Sequence, residues 1–256
     1  MKLIFPTVFL LLCISNSFSQ RKYREEFNED IPLYFGVESE FIMPYFVNQN
    51  DIILNNLMYN STTNYQYGYT LGGIIRRDLE NGLSFDGGIK YTQRELKVNM
   101  TVLDSSINEV NSMTFINYEV PLNTRVFVKL TKQIFGTAGI GFSAFFKPTN
   151  IRVNNYTDSK SNFVHYGYVK SKFGFDLNAQ IGFEFRTDKF GFVQLGASFK
   201  IPFSPLFEYN GLYFYGTQLV ANDWKNINGS YFAINLKYFL PKIDNSGVQP
   251  LINPIE

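Results

Sequence analysis

The sequence predicts an all-β chain of eight antiparallel strands that close an up-and-down transmembrane β-barrel. Three observations predict it. The chain opens with an export signal, it carries eight segments in which apolar and polar residues alternate, and short and long connections take turns between them.

The export signal comes first in the chain. Lys2 supplies a positive start, residues 3–12 are apolar around Pro6, and Ser17 and Ser19 place small residues before Gln20. That is the build of a secretory signal peptide, and the apolar run is too short to span a bilayer as a helix. The expected mature chain begins at Gln20. Cys13 is where a lipoprotein signal would place its cysteine, but such a cysteine follows a small residue and here Leu12 precedes it.

Cleavage removes the one cysteine, which leaves no disulfide framework. It also removes Lys2, so 22 basic residues face 22 acidic ones. A balanced chain has no basic excess for phosphate, so nucleic acid is not an expected partner. Aromatic residues make up 18% of the chain, nearly all Tyr and Phe. Mean hydropathy is −0.11, and no apolar run of about 18 residues follows the signal. Alternation is what remains to carry a membrane crossing.

Residues 20–30 form a lead-in, and the first segment then sets Leu33, Phe35, Val37 and Phe41 against Tyr34, Gly36, Glu38 and Glu40. The second, 65–76, sets Tyr67, Tyr69, Leu71 and Ile75 against Thr70, Gly72 and Arg76. In 83–94, Leu83, Phe85, Ile89 and Tyr91 oppose Ser84, Asp86, Lys90 and Arg94. The fourth puts Tyr118, Val120, Leu122, Val126 and Val128 opposite Asn117, Glu119, Asn123, Arg125 and Lys129. In 134–146, Ala138, Ile140 and Phe142 oppose Thr137, Gly139, Gly141 and Ser143. The sixth, 172–186, holds seven apolar positions in register, Phe173 to Phe185, against Asp176, Asn178, Gln180, Glu184 and Arg186. Val193, Leu195, Ala197, Phe199 and Ile201 then oppose Gln194, Ser198 and Lys200, and Phe232, Ile234, Leu236 and Tyr238 oppose Asn235 and Lys237. Each run reaches the ~9–11 residues that cross a bilayer at barrel tilt.

Tight connections fall around 78–82, 131–133 and 187–189, and long polar ones at 47–64, 96–113, 147–171 and 202–229. Strict alternation of the two kinds is the habit of outer-membrane barrels, with periplasmic turns on one side and outer loops on the other. In such a barrel the apolar face meets lipid and the polar face points inward. Two features favour that assignment over a soluble barrel. The polar face is rich in Gly, Ser and Thr, which suits a cramped interior. Rings also gather at strand ends: Tyr65, Tyr67, Tyr69, Phe173, Phe175, Tyr231 and Phe232 on one rim, and Phe183, Phe185 and Tyr238 on the other.

The run Tyr118-Glu119-Val120-Pro121-Leu122, a tight turn and Phe135-Gly136-Thr137-Ala138-Gly139-Ile140-Gly141 carry a resemblance. Over about residues 31–240 the chain is similar to the outer-membrane β-barrel proteins of Bacteroidetes-type bacteria, PorT-like or porin family, whose architecture is like that of the OmpA membrane domain. The resemblance implies the fold and an outer-membrane address.

An inward polar face would enclose Glu38, Glu40, Asp86, Lys90, Arg94, Glu119, Arg125, Lys129, Asp176, Glu184, Arg186, Lys200 and Lys237. Charges in so narrow a space should pair, since an isolated buried charge is costly. The core of this expected network is Glu38, Glu40, Asp86, Lys90, Glu119, Arg125, Asp176, Glu184 and Lys200. Paired charges that exchange partners would instead line a gated ion path, although so few strands leave almost no water-filled channel.

Nothing points to catalysis or to a cofactor. His165 is the one histidine, with Ser161, Asp158 and Ser171 nearby in sequence, but neighbours in a loop do not make a positioned pair. Metal ligands would have to be nearly all oxygen, and Gly139-x-Gly141 lies mid-strand, away from any phosphate-cradling context. Residues 202–229 are the ring-rich connection, and Phe207, Tyr209, Tyr213, Phe214, Tyr215 and Trp224 form a candidate contact surface for lipopolysaccharide, surface glycan or another envelope protein. The tail, 241–256, is polar and expected to be a disordered periplasmic end. The expected role is therefore a non-enzymatic barrel that serves a structural or partner-binding function among outer-membrane lipid. An accessory subunit of a secretion or uptake assembly, a lipid-modifying enzyme and a small gated pore follow in that order.

Overall fold

The computed structural model describes residues 33–43, 54–55, 59–79, 82–102, 107–156, 160–187 and 190–241. The readings of 1–19, 20–30 and almost all of the tail lie outside the described residues. Among the described residues there are fourteen strands: β1 Leu33–Met43, β2 Leu54–Asn55, β3 Tyr59–Tyr65, β4 Gly68–Asp78, β5 Leu83–Val102, β6 Asn108–Lys129, β7 Ile134–Phe146, β8 Ile151–Tyr156, β9 Ser161–Tyr168, β10 Phe173–Thr187, β11 Gly191–Pro202, β12 Phe207–Tyr215, β13 Gln218–Ile227 and β14 Tyr231–Phe239. Among the described residues no helix is long and apolar enough to cross a membrane.

All pairings are antiparallel. One sheet runs β2-β3-β5-β4-β1-β14-β11-β10-β7-β6, and β5 also pairs with β6. A second sheet runs β13-β12-β9-β8. Eight of these strands match the alternating segments in order. The other six, together with the far halves of β5 and β6, occupy the stretches the sequence presents as long loops. Those stretches are sheet because they pair with one another and with the far halves of β5 and β6, whose alternation continues beyond residue 94.

On β5 the even-numbered residues other than Gly88 stay buried from end to end, yet their chemistry changes midway. Ser84, Asp86, Lys90, Thr92 and Arg94 are polar; Leu96, Val98, Met100 and Val102 are apolar. The odd face changes the other way, from Leu83, Phe85, Ile89 and Tyr91 to Glu95, Lys97, Asn99 and Thr101. On β6 the inward face passes from Arg125, Asn123, Glu119 and Asn117 to Phe115 and Met113, and Arg94 pairs with Phe115 at the crossover. A single sheet that inverts polarity at one level has a different medium outside it on either side of that level. Lipid surrounds the half whose outward face is apolar, and water surrounds the half whose inward face is apolar.

Aromatic rings mark the boundary. Phe41 stacks on Tyr67 at 5.4 Å, Tyr91 packs against Tyr69 at 6.2 Å and Tyr118 at 5.8 Å, and Phe146 meets Phe173 at 5.1 Å. The hydroxyls of Tyr69 and Tyr91 both donate to Gln93 Oε1, at 3.0 and 2.9 Å, just where outward residues turn polar. Such amphipathic belts belong at headgroup depth. Two rim assignments need correction. Tyr231 is buried on the inward face, and Tyr65 packs on the apolar core beyond the boundary while donating to the Asn228 carbonyl at 2.6 Å. Both follow from strand parity, which ring counting ignores.

Beyond the boundary, the second sheet lies against β3 and the far halves of β5 and β6. Their shared core contains Leu96, Val98, Met100, Met113, Phe115, Phe163, Leu206, Phe207, Tyr209, Tyr213 and Ile227. Each large side chain buried there contributes about 1.5–3 kcal/mol.

Candidate functional site

The inward face of the membrane half brings the charges together. Arg76 Nε binds Asp86 at 2.8 Å, and Arg76 Nη1 reaches Glu184 at 2.5 Å. Arg125 Nη2 binds Asp86 at 2.6 Å, and Lys237 Nζ lies 3.0 Å from Glu38 and 3.9 Å from Asp86. Lys90 joins Glu38 at 2.8 Å and Glu40 at 3.0 Å. Lys200 pairs with Glu119, which also accepts from Thr92 Oγ1 at 3.0 Å. All these side chains are nearly free of solvent.

Some of these pairs join strands that are not neighbours. Arg76 on β4 reaches Glu184 on β10, and Lys200 on β11 reaches Glu119 on β6. Gln194 accepts from both Arg76, at 3.1 Å, and Arg125, and Gln180 accepts from Arg125 at 3.0 Å and Lys237 at 2.9 Å. Glycine makes room for this. A Cβ on Gly72 would stand 2.9 Å from Lys90 Cγ and 2.5 Å from the Ile89 carbonyl, so only Gly lets Lys90 turn inward.

Apolar groups flank the charges. Ile74, Phe192 and Phe239 pack together on the side of the short turns, with the Arg76 guanidinium 4.0 Å over the Phe239 ring. On the other side Arg94 lies 4.8 Å over Tyr231 and 5.0 Å over Phe115, and donates to the Gly229 carbonyl at 2.6 Å.

Of the nine residues expected in this network, eight make ion pairs with one another or with Arg76, Lys237 and Arg186. Asp176 is the exception: it is buried on the same face, but Lys200 is engaged by Glu119. Lys129 corrects the expected list, because it ends β6 exposed. Arg186 is half-buried at the rim, bound to Glu184 at 2.6 Å and Asp78 at 3.4 Å. Sequence reasoning left Arg76 and the two glutamines out. The parity of Arg76 with Thr70 and Gly72 was the available signal; no sequence signal identifies the glutamines as shared acceptors.

The outer aromatic residues divide. Phe207, Tyr209 and Tyr213 were expected on the contact surface but point into the core, because they share one parity of β12. Phe214 is intermediate, and Tyr215 and Trp224 are exposed.

His165 on β9 is sealed in the same core. Its Nδ1 and Tyr209 Oη are 2.8 Å apart, and its Nε2 lies 2.8 Å from the Asn111 amide nitrogen. The amide donates to Nε2, so Nδ1 carries the proton and donates to Tyr209. Ser161 is buried beside Tyr213, Ser171 is exposed and bound to the Phe173 carbonyl, and Asp158 lies outside the described residues.

Burial holds the His165 imidazole down at about 4, against 6.5 for an unburied one. The ring is neutral in the fold but takes up a proton in the unfolded chain below 6.5. Its contribution is therefore complete above that pH and declines from 6.5 to 4, by at most about 3 kcal/mol. The protection factors of amides in β9 and β12, with the intrinsic pH dependence of exchange divided out, should fall as pH drops through that window. His165→Gln should remove the pH-dependent part, and an unchanged profile would mean that the imidazole is reached by water.

Among the described residues no group of three or more His, Cys, Asp or Glu could hold a metal ion. Strands that invert polarity at a ring-marked level, around inward-facing ion pairs, define an integral membrane β-barrel. The sequence matches the family model described as outer membrane protein beta-barrel domain over residues 18–208, and the chain belongs to that family. It is an outer-membrane protein. A search of curated proteins finds no match. Among solved structures it is similar to the outer membrane protein OprG from Pseudomonas aeruginosa, with 8% identity and a TM-score of 0.47, over 82% of this chain and 96% of that one.

Proposed function

We propose that the chain, exported by a cleaved signal peptide, is a closed eight-stranded barrel that does not conduct and has a structural or partner-binding role without catalysis. The cross-strand ion pairs between Arg76 and Glu184 and between Lys200 and Glu119 carry this reading. Eight strands leave an interior that side chains alone can fill, and apolar groups flank the charges on either side. The sheet of β8, β9, β12 and β13 then serves as the outer contact surface. The narrower placement among PorT-like barrels of Bacteroidetes-type bacteria rests on the segments 118–122 and 135–141. Purified protein in planar bilayers should show near-zero steady conductance; large, long-lived channels would overturn the filled interior.

A further inference from the structure

We propose that the outward face of the β13-β12-β9-β8 sheet binds the sugars of a glycolipid in the outer leaflet, on a ladder of Tyr166, Tyr168 and Trp224. This deepens the reading of that sheet as the contact surface and rests on it. Strand parity sends Phe163, His165, Tyr209 and Tyr213 to the core and leaves these three rings on the other face. Tyr166 stacks on Tyr168 at 5.4 Å, and Tyr168 stacks on Trp224 at 5.4 Å. Trp224 is 55% exposed and Tyr168 36%. Trp224 sits on the edge strand and ends the ladder, so among the described residues one face of its indole carries no other ring. Sugars present apolar C–H faces that pack on such rings, with hydroxyls around the edge.

A second observation points to a ligand. Asn210 pairs with Tyr166 on one side and Trp224 on the other, which places its amide among the rings. It is 4% exposed, and its Oδ1 has no hydrogen-bond partner among the described residues. Buried polar atoms are seldom left unmatched, and a sugar hydroxyl would satisfy this one. Beside Tyr168, a cavity of about 80 Å³ is bordered by Lys170, Ser171, Ser204 and Glu208, and Ser204 Oγ is likewise without a partner. It has room for a hydroxymethyl arm.

Position and charge choose the source. Tyr168 ends β9, and only residues 169–172 separate it from Phe173 of the aromatic belt. The ladder thus stands where the sugars of a lipid-anchored glycan begin. Arg152, stacked 5.2 Å over Tyr166, flanks it with positive charge for acidic substituents, while Lys170 is paired with Glu208 at 3.1 Å. The same face continues through Leu212 and Phe214, and the exposed amides of Asn222 and Asn226 border the rings.

Trp224 is the one tryptophan of the chain, so its emission reports the site directly. Full-length protein in detergent would be titrated with delipidated lipopolysaccharide core oligosaccharide, with lipid A alone, and with cellohexaose. The expected result is a saturable change with the core oligosaccharide, weakened at least about tenfold by Tyr168→Ala. Calorimetry on Trp224→Ala should show the same loss, with the circular dichroism of both variants unchanged. An equal response to lipid A, a response to cellohexaose alone, or silence toward all three up to about 10 mM overturns the proposal. So does a change produced only by an envelope-protein fraction. A chain that is silent in bilayers yet blind to the sugar loses this site alone, whereas a conducting chain loses the wider reading.

Discussion

Replacing Arg76 with Met lowers the unfolding free energy by about 3–5 kcal/mol, read as a fall in the urea midpoint of protein refolded in micelles. Arg76 has no solvent contact, binds Asp86 and Glu184, donates to Gln194 and lies over Phe239. Met matches much of its length but leaves two carboxylates short of positive charge. Asp86 retains Arg125 and the more distant Lys237, while among the described residues Glu184 retains the half-buried Arg186 alone. Because the cost comes from uncompensated charge, Arg76→Met with Glu184→Gln should be less harmful than the single change. A loss under about 1 kcal/mol would indicate a water-screened interior, where ion pairs contribute little.

Leu122→Arg, by contrast, should cost about 2–4 kcal/mol and impair assembly into bilayers, while Thr114→Arg costs almost nothing. Both side chains point outward from β6, and both are exposed. They differ in what surrounds them. Leu122 lies below the ring of Tyr118, among lipid tails, and Thr114 lies above the polarity crossover, opposite Glu95. Folding yields into lipid vesicles, compared for the two variants, would check this. Equal penalties at both positions would move the boundary from where Arg94 and Phe115 place it.

The period-2 alternation of the eight segments was legible in sequence because it is local: each residue's face is fixed by its neighbours on the same strand. The inward and outward sets of β1, β4, β7, β10, β11 and β14 emerge from parity alone. The same locality explains the failure at 96–113. There the apolar residues Leu96, Val98 and Met100 keep the parity of the polar Asp86 and Lys90, so the pattern slips phase and reads as the end of a strand. The chain does not end its strand there; the solvent outside it changes. Phe207, Tyr209 and Tyr213 were misplaced for a related reason, since a ring-rich stretch shows its composition but not which face meets another sheet.

By itself, then, the sequence determined the β class and the two faces of each alternating segment, both carried by short-range patterns. Tertiary structure alone decided which charges meet across the interior, such as Arg76 with Glu184, 108 residues apart. It also decided that β8, β9, β12 and β13 form one sheet over the far ends of β5 and β6, and that Tyr166, Tyr168 and Trp224 stand in a row on its open face. These are pairings between distant segments, set by strand register and packing, which no local periodicity records.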